Sequence, residues 1–202
     1  MSGDEHQPAP RGSYAKGVAR RQEILDRAIE VFAQRGSDRT SLRAIAEEVG
    51  VTHAALKHYF GSLEELLVAV YQESERRGDD EPSTDQDETP VEALRRWTES
   101  NREVQGLVQL YSTLVATALE EGHPAAREFA TSRFARVRAD MARRVRHSQE
   151  AGRIRADVDP EAVAALVIAA SDGLQTQWLL DASAPQDAAL ALLDQLLAAP
   201  RA

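Results

Sequence analysis

Cysteine is absent from the 202 residues, which excludes disulfides and thiolate metal sites. Histidine is scarce. His6, His53, His58, His123 and His147 are scattered, with no pair at metal-ligand spacing, so no metal and no cofactor is expected. The patterns G-x-S-x-G, H-E-x-x-H and G-x-G-x-x-G and the P-loop are all missing, and an enzyme is therefore not expected. Long apolar runs are missing too. The longest clear one, Ala162 to Ala170, has nine residues and stops at Ser171-Asp172, short of the roughly 20 that a membrane span needs. Met1 to Gly12 is polar, bears Pro8 and Pro10, and has no apolar centre. It does not read as a secretory signal, and a cytoplasmic location is expected. No segment alternates with period two and β-branched runs are lacking, which leaves an all-α chain.

The net charge of −9 weighs against nucleic acid until its distribution is read. Residues 11–60 hold nine Lys/Arg against six Asp/Glu, whereas residues 61–202 hold 15 against 25. A mildly basic head on an acidic body suits a module that meets phosphates at one end only.

Residues 1–14 read as a structureless tail. Helical periodicity starts near Lys16, with Ile24, Ala28, Val31 and Phe32 on one stripe, and Gly36 is placed to end it. Thr40 or Ser41 can cap a second helix that runs to Val49. Thr52 can cap a short third from His53 to Phe60, and Ser62-Leu63-Glu64-Glu65 is a capping box opening a fourth. Gly78 to Pro90 holds six acids, two prolines and no aliphatic residue, the composition of a surface loop. Beyond it helices are expected over about 91–104, 107–121, 124–150, 160–181 and 185–199, about nine in all, with Pro124, Pro160 and Pro185 at starts.

The stretch from Thr40 to Leu67 carries the functional signal. Two short helices crossing steeply through a tight turn need a small residue at the crossing, which Ala46 supplies. The turn needs a residue tolerant of positive φ, which Gly50 supplies. Ile45, Val49, Val51, Leu56 and Tyr59 bracket these with apolar surface. His53, Ala54, Ala55, Lys57 and His58 leave the second helix a face free of bulky aliphatics, able to enter a DNA major groove.

With those residues in hand, Arg21 to Leu67 resembles the DNA-binding head of the tetracycline-repressor (TetR) family. The resemblance rests on Ile24 to Gly36, Thr40-Ser41-Leu42-Arg43-Ala44-Ile45-Ala46, Gly50-Val51-Thr52 and Tyr59-Phe60. It implies a three-helix helix-turn-helix domain over residues 15–61 and a ligand-binding and dimerisation domain over 62–202. It also implies a homodimer bound to double-stranded operator DNA. Two positions depart from the family's habit: Lys57 stands where Tyr is usual, and Leu63 where Lys is usual. The ammonium of Lys57 can take over the phosphate that a lysine at position 63 would otherwise meet. In this reading Thr40, Ser41, Thr52, Lys57 and Tyr59 meet phosphates, and Arg43, His53, Ala54, Ala55 and His58 lie nearest base edges.

The body carries two further expectations. Val163, Leu166, Val167, Ala170, Leu174 and Trp178, with Ala189, Leu192, Leu193 and Leu196, form the apolar faces of the last two helices. The resemblance implies that these pack as an intermolecular four-helix bundle; completing the protomer's own core is the alternative. Trp97, Asn101, Leu107, Tyr111, Leu114, Phe129, Arg133, Phe134, Val137 and Met141 offer apolar walls with polar handles, suited to a small-molecule effector or to plain core. Repression relieved by that effector is the family's habit. Activation, or a helical dimer serving a protein partner, stays open at this stage.

Overall fold

The computed structural model describes residues 11–35, 42–79 and 88–200, and within them the chain is helical. Nine helices follow in order among the described residues: α1 (Arg11–Arg35), α2 (Leu42–Val49), α3 (His53–Phe60), α4 (Leu63–Asp79), α5 (Pro90–Glu103), α6 (Gln105–Thr117), α7 (Pro124–Glu150), α8 (Pro160–Leu180) and α9 (Gln186–Leu197). Helix α1 takes in Arg11 to Tyr14, which composition assigned to the tail; residues 1–10, Gly36, Thr40, Ser41 and most of the acidic loop lie outside the described residues.

Local side-chain caps account for several helix starts. Thr89 and Glu92 form a reciprocal capping box ahead of Pro90. Asp159 accepts from Glu161 N and Ala162 N ahead of Pro160. Ser62 Oγ accepts from Glu65 N at 3.1 Å, one half of the expected box. Helix α6 stops at Thr117, four residues early, because Leu119 N and Glu120 N turn back to Ala116 O and Thr117 O. Gly122 then reverses the chain at φ 87°.

The helices enclose two apolar cores. The first gathers α1, α2 and α3 with α4, α6 and the start of α7; Phe32, Leu56, Leu66, Leu110 and Phe129 are among its members. The second joins α5, the latter half of α7, α8 and α9 through residues such as Leu94, Met141, Val145, Val163 and Leu190. Helix α7, 27 residues and about 40 Å long, is the beam shared by both. An isolated antiparallel bridge between Ile154 and Ala198 ties the segment after α9 to the loop between α7 and α8.

Although no uninterrupted apolar run is long, α8 taken whole is long and apolar enough to cross a membrane by length and composition, and little of it is buried inside the protomer.

Candidate nucleic-acid interface

The turn between α2 and α3 is held from three sides. Gly50 adopts φ 72°, and Val51 N donates to Ala46 O at 2.8 Å. Thr52 Oγ1 accepts from Ala55 N at 3.1 Å, which caps α3. From α1, Arg27 Nη1 donates to Val49 O at 3.0 Å and so satisfies a carbonyl at the end of α2. A Cβ on residue 50 would stand 3.2 Å from that nitrogen. Gly50→Ala is accordingly expected to cost about 1–2 kcal/mol, mainly through the left-handed backbone. Urea unfolding measures this; an unshifted midpoint would mean that the turn takes another shape.

Leu56 is fully buried and Phe60 nearly so, which pins one side of α3 against the first core. Arg21 lies 4.8 Å above the Phe60 ring and adds a clasp from α1. The other side of α3 presents His53, Ala54, Lys57 and His58 to solvent, while Ala55 and Tyr59 are half-buried. Arg43 is exposed and 3.4 Å from Glu47, a surface pair that it can exchange at little cost. Arg43, Ala46, Glu47, Val51, Thr52 and His53 line an open hollow of about 510 Å³ between α2 and α3. Of the residues expected to meet DNA, eight thus share one region; Thr40 and Ser41 lie outside the described residues. Leu63 packs against the first core, so hydrocarbon at that position has a packing reason.

In the body the ten effector candidates separate. Leu107, Tyr111, Leu114 and Phe129 belong to the first core, with Phe134 packed on it. Met141 belongs to the second, with Trp97 and Val137 packed on it. Asn101 Nδ2 donates to Gln175 Oε1 at 3.1 Å and is engaged within the protomer.

Arg133 is the polar centre between them. It donates to Glu75 Oε1 at 2.8 Å and to the Tyr111 hydroxyl at 3.0 Å, and its guanidinium lies 4.3 Å from the Tyr111 ring centroid. Tyr111 in turn donates to Asp172 Oδ2 at 3.1 Å, and its ring stacks on Tyr71 at 5.2 Å. Burial pushes the Tyr71 and Tyr111 hydroxyls up and holds the Asp172 carboxyl above the usual carboxylate range. Burial works against the Arg133 charge, but Tyr71, Glu75 and Tyr111 around it outweigh that effect and raise the guanidinium above the usual arginine range.

Asp172 also borders an open hollow of about 300 Å³ between α7 and α8, with Phe134, Arg138, Ala165, Ile168 and Ala169. Of these only Phe134 was among the effector candidates. The signal available in the sequence is a carboxylate in the interior of α8, whose other acid, Glu161, sits in the first turn.

The expected dimer face needs correction. Val163, Val167 and Leu193 are 4%, 2% and 9% exposed and lie in the protomer's second core, so they cannot meet a partner directly. Ala170, Leu174, Trp178 and Ala189 are half-buried. Leu166, Leu192 and Leu196 of that expected face do turn outward, and Leu180 joins them, each more than half exposed, with Ala162, Ala165 and Ala169 of α8 exposed as well.

With this geometry established, comparison with known proteins gives consistent matches. Residues 24–70 match the family model described as "Bacterial regulatory proteins, tetR family". Residues 92–200 match one described as "BetI-type transcriptional repressor, C-terminal". The HTH-type transcriptional regulator BetI of Brucella anthropi is 43% identical over 51 residues, 25% of this chain and 26% of that protein. The matched segment therefore spans about a quarter of that curated relative. Among solved structures, a TetR-family member from Streptomyces coelicolor A3 superimposes with TM-score 0.61 at 28% identity, covering 88% of this chain and 98% of the other. The multidrug binding protein EbrR, complexed with imidazole, does so with TM-score 0.63 at 26% identity over the whole of both chains. A helix-turn-helix head matched by one family model, and a body matched over more than half of the chain by another, place this protein in the TetR family of bacterial transcriptional regulators.

Proposed function

We propose that the chain is a DNA-binding transcriptional regulator: a homodimeric repressor, cytoplasmic and without catalytic activity, released from a palindromic operator by a small molecule. The observation that carries this reading is the two-sidedness of α3. Leu56 and Phe60 anchor one side, and the other offers an uncluttered face with Lys57, His53 and His58 exposed. One such helix reads only a few base pairs, so a second copy is needed for useful affinity. The exposed leucines of α8 and α9 supply the surface for it. Joining two protomers there also covers the apolar side of α8 without a membrane, and leaves its Asp172 and Gln175 engaged within the protomer.

The effector reading draws on EbrR, which is solved with imidazole, and on the Asp172 hollow. A ligand that bonds Asp172 would compete for the carboxylate that Tyr111 now uses, and Tyr111 is one bond from Arg133 and two from Glu75 on α4. A ligand shifts the DNA-binding equilibrium only through such differential contacts.

Fluorescence polarisation with DNA flanking the protein's own gene tests the reading. Saturable binding that resists random competitor is expected; its absence would favour a helical protein-interaction role. Within the same assay, Lys57→Ala is expected to lower the slope of log affinity against log salt by about one per head. An unchanged slope would mean that Lys57 meets no phosphate.

A further inference from the structure

Helix α7 has no cap from its own sequence. His123 occupies the N-cap position and makes no side-chain capping bond. The acceptor arrives from another helix. Glu64 Oε1 accepts from Ala126 N at 2.6 Å, and Glu64 Oε2 lies 3.2 Å from His123 Nδ1. The remaining acid near this histidine is Glu120, 3.9 Å from Nε2. A carboxylate on α4 therefore closes the electropositive end of α7, the longest helix among the described residues.

The position of Glu64 gives that bond its meaning. It is the second residue of α4 and stands four residues after Phe60, the last of the recognition helix. Helix α4 does not need it as a cap, because Ser62 already accepts from Glu65 N. At its other end α4 is clasped to α1: Gln22 donates to Glu73 at 2.8 Å, and Arg77 pairs with Asp26. Bonds from Arg76, opposed in part by burial, and from Gln22 and Arg77 hold the Glu73 carboxyl down to about 2. The start of α4, directly behind α3, is thus fixed to α7, and its end to the head's first helix.

We propose that Glu64 is a positioning residue for DNA binding. By capping α7 from α4 it sets the direction in which the recognition helix leaves the body. This rests on the DNA-binding reading above. The bond joins residues 62 apart in sequence and crosses from the helix that follows the head to the beam shared by both cores. Its loss frees the recognition helix to sample orientations that fit a duplex less well.

The test uses the full chain and a duplex selected from a random-sequence pool by the wild-type protein. Glu64→Ala is expected to weaken binding about tenfold. Glu64→Gln keeps an oxygen for Ala126 N and is expected to retain most of the affinity. The combination Glu64→Ala with His123→Asp gives α7 a cap of its own. It is expected to recover thermal stability without recovering affinity. Wild-type affinity in Glu64→Ala, or affinity that returns together with the local cap, would overturn the proposal. If the wild type selects no duplex, the DNA-binding reading itself fails, and amide hydrogen exchange over residues 42–60 then decides. Faster exchange in Glu64→Ala with His123→Asp supports the coupling; exchange equal to wild type refutes it.

Discussion

Glutamate placed at both Leu166 and Leu196 is expected to leave the chain monomeric and to weaken its hold on an operator by about a hundredfold or more. Both leucines face outward, at 53% and 62% exposure, so the substitutions remove nothing from the protomer's own core. In the dimer proposed above, four like charges would meet across a twofold interface lined by leucine and alanine, and buried charges without partners cost several kcal/mol each. Linking two weak heads into one particle multiplies affinity by about 10²–10⁴, and the monomer forfeits that factor. Sedimentation velocity measures the first effect and fluorescence polarisation the second. The core residues make the control: Val167→Ala, inside the second core, is expected to lower stability while the dimer persists. A double glutamate variant that remains dimeric would place the interface elsewhere.

Arg133→Met is expected to destabilise the fold by about 2–3 kcal/mol, below the 3–5 kcal/mol seen when one partner of a fully buried pair is removed. The discount has a structural reason: Arg136 also reaches Glu75, at 2.9 Å, and would still pair with it. The variant gives up the guanidinium over Tyr111 and its bond to the Tyr111 hydroxyl, together with the stronger of the two partners of Glu75. Adding Glu75→Met to Arg133→Met is expected to recover at least half of the loss, because two apolar groups replace a pair that is costly to desolvate. Urea unfolding of the single and double variants measures both numbers. A double variant less stable than the single would show that Glu75 has a further role, with Arg136 or in the surrounding network.

These two predictions sit at opposite ends of what a sequence can convey. The head was legible because its geometry is local. Ala46, Gly50, Thr52 and Leu56 lie within eleven residues, and each is demanded by a turn or crossing that its neighbours define. The body was legible only as helices. Its polar centre joins Tyr111 to Asp172, 61 residues apart, and Asn101 to Gln175, 74 apart, and helical periodicity holds no information about such pairings. The face proposed for the dimer shows a third case. Helix α8 is apolar nearly all round, so the pattern could not distinguish the inward Val163 and Val167 from the outward Leu166 and Ala162. Packing against α7, α5 and α9 separates them.

The way the two cores divide the chain has a practical consequence for anyone seeking to swap specificities. A chimera cut after α3 would strip Leu56 and Phe60 of the α4, α6 and α7 surfaces that complete their core, and would leave a fragment with a raw apolar flank. The portable unit is larger and discontinuous. It takes α1 to α4 together with α6 and the opening turns of α7, so a donor body must supply the seam partway along that long helix rather than at the recognition helix's end.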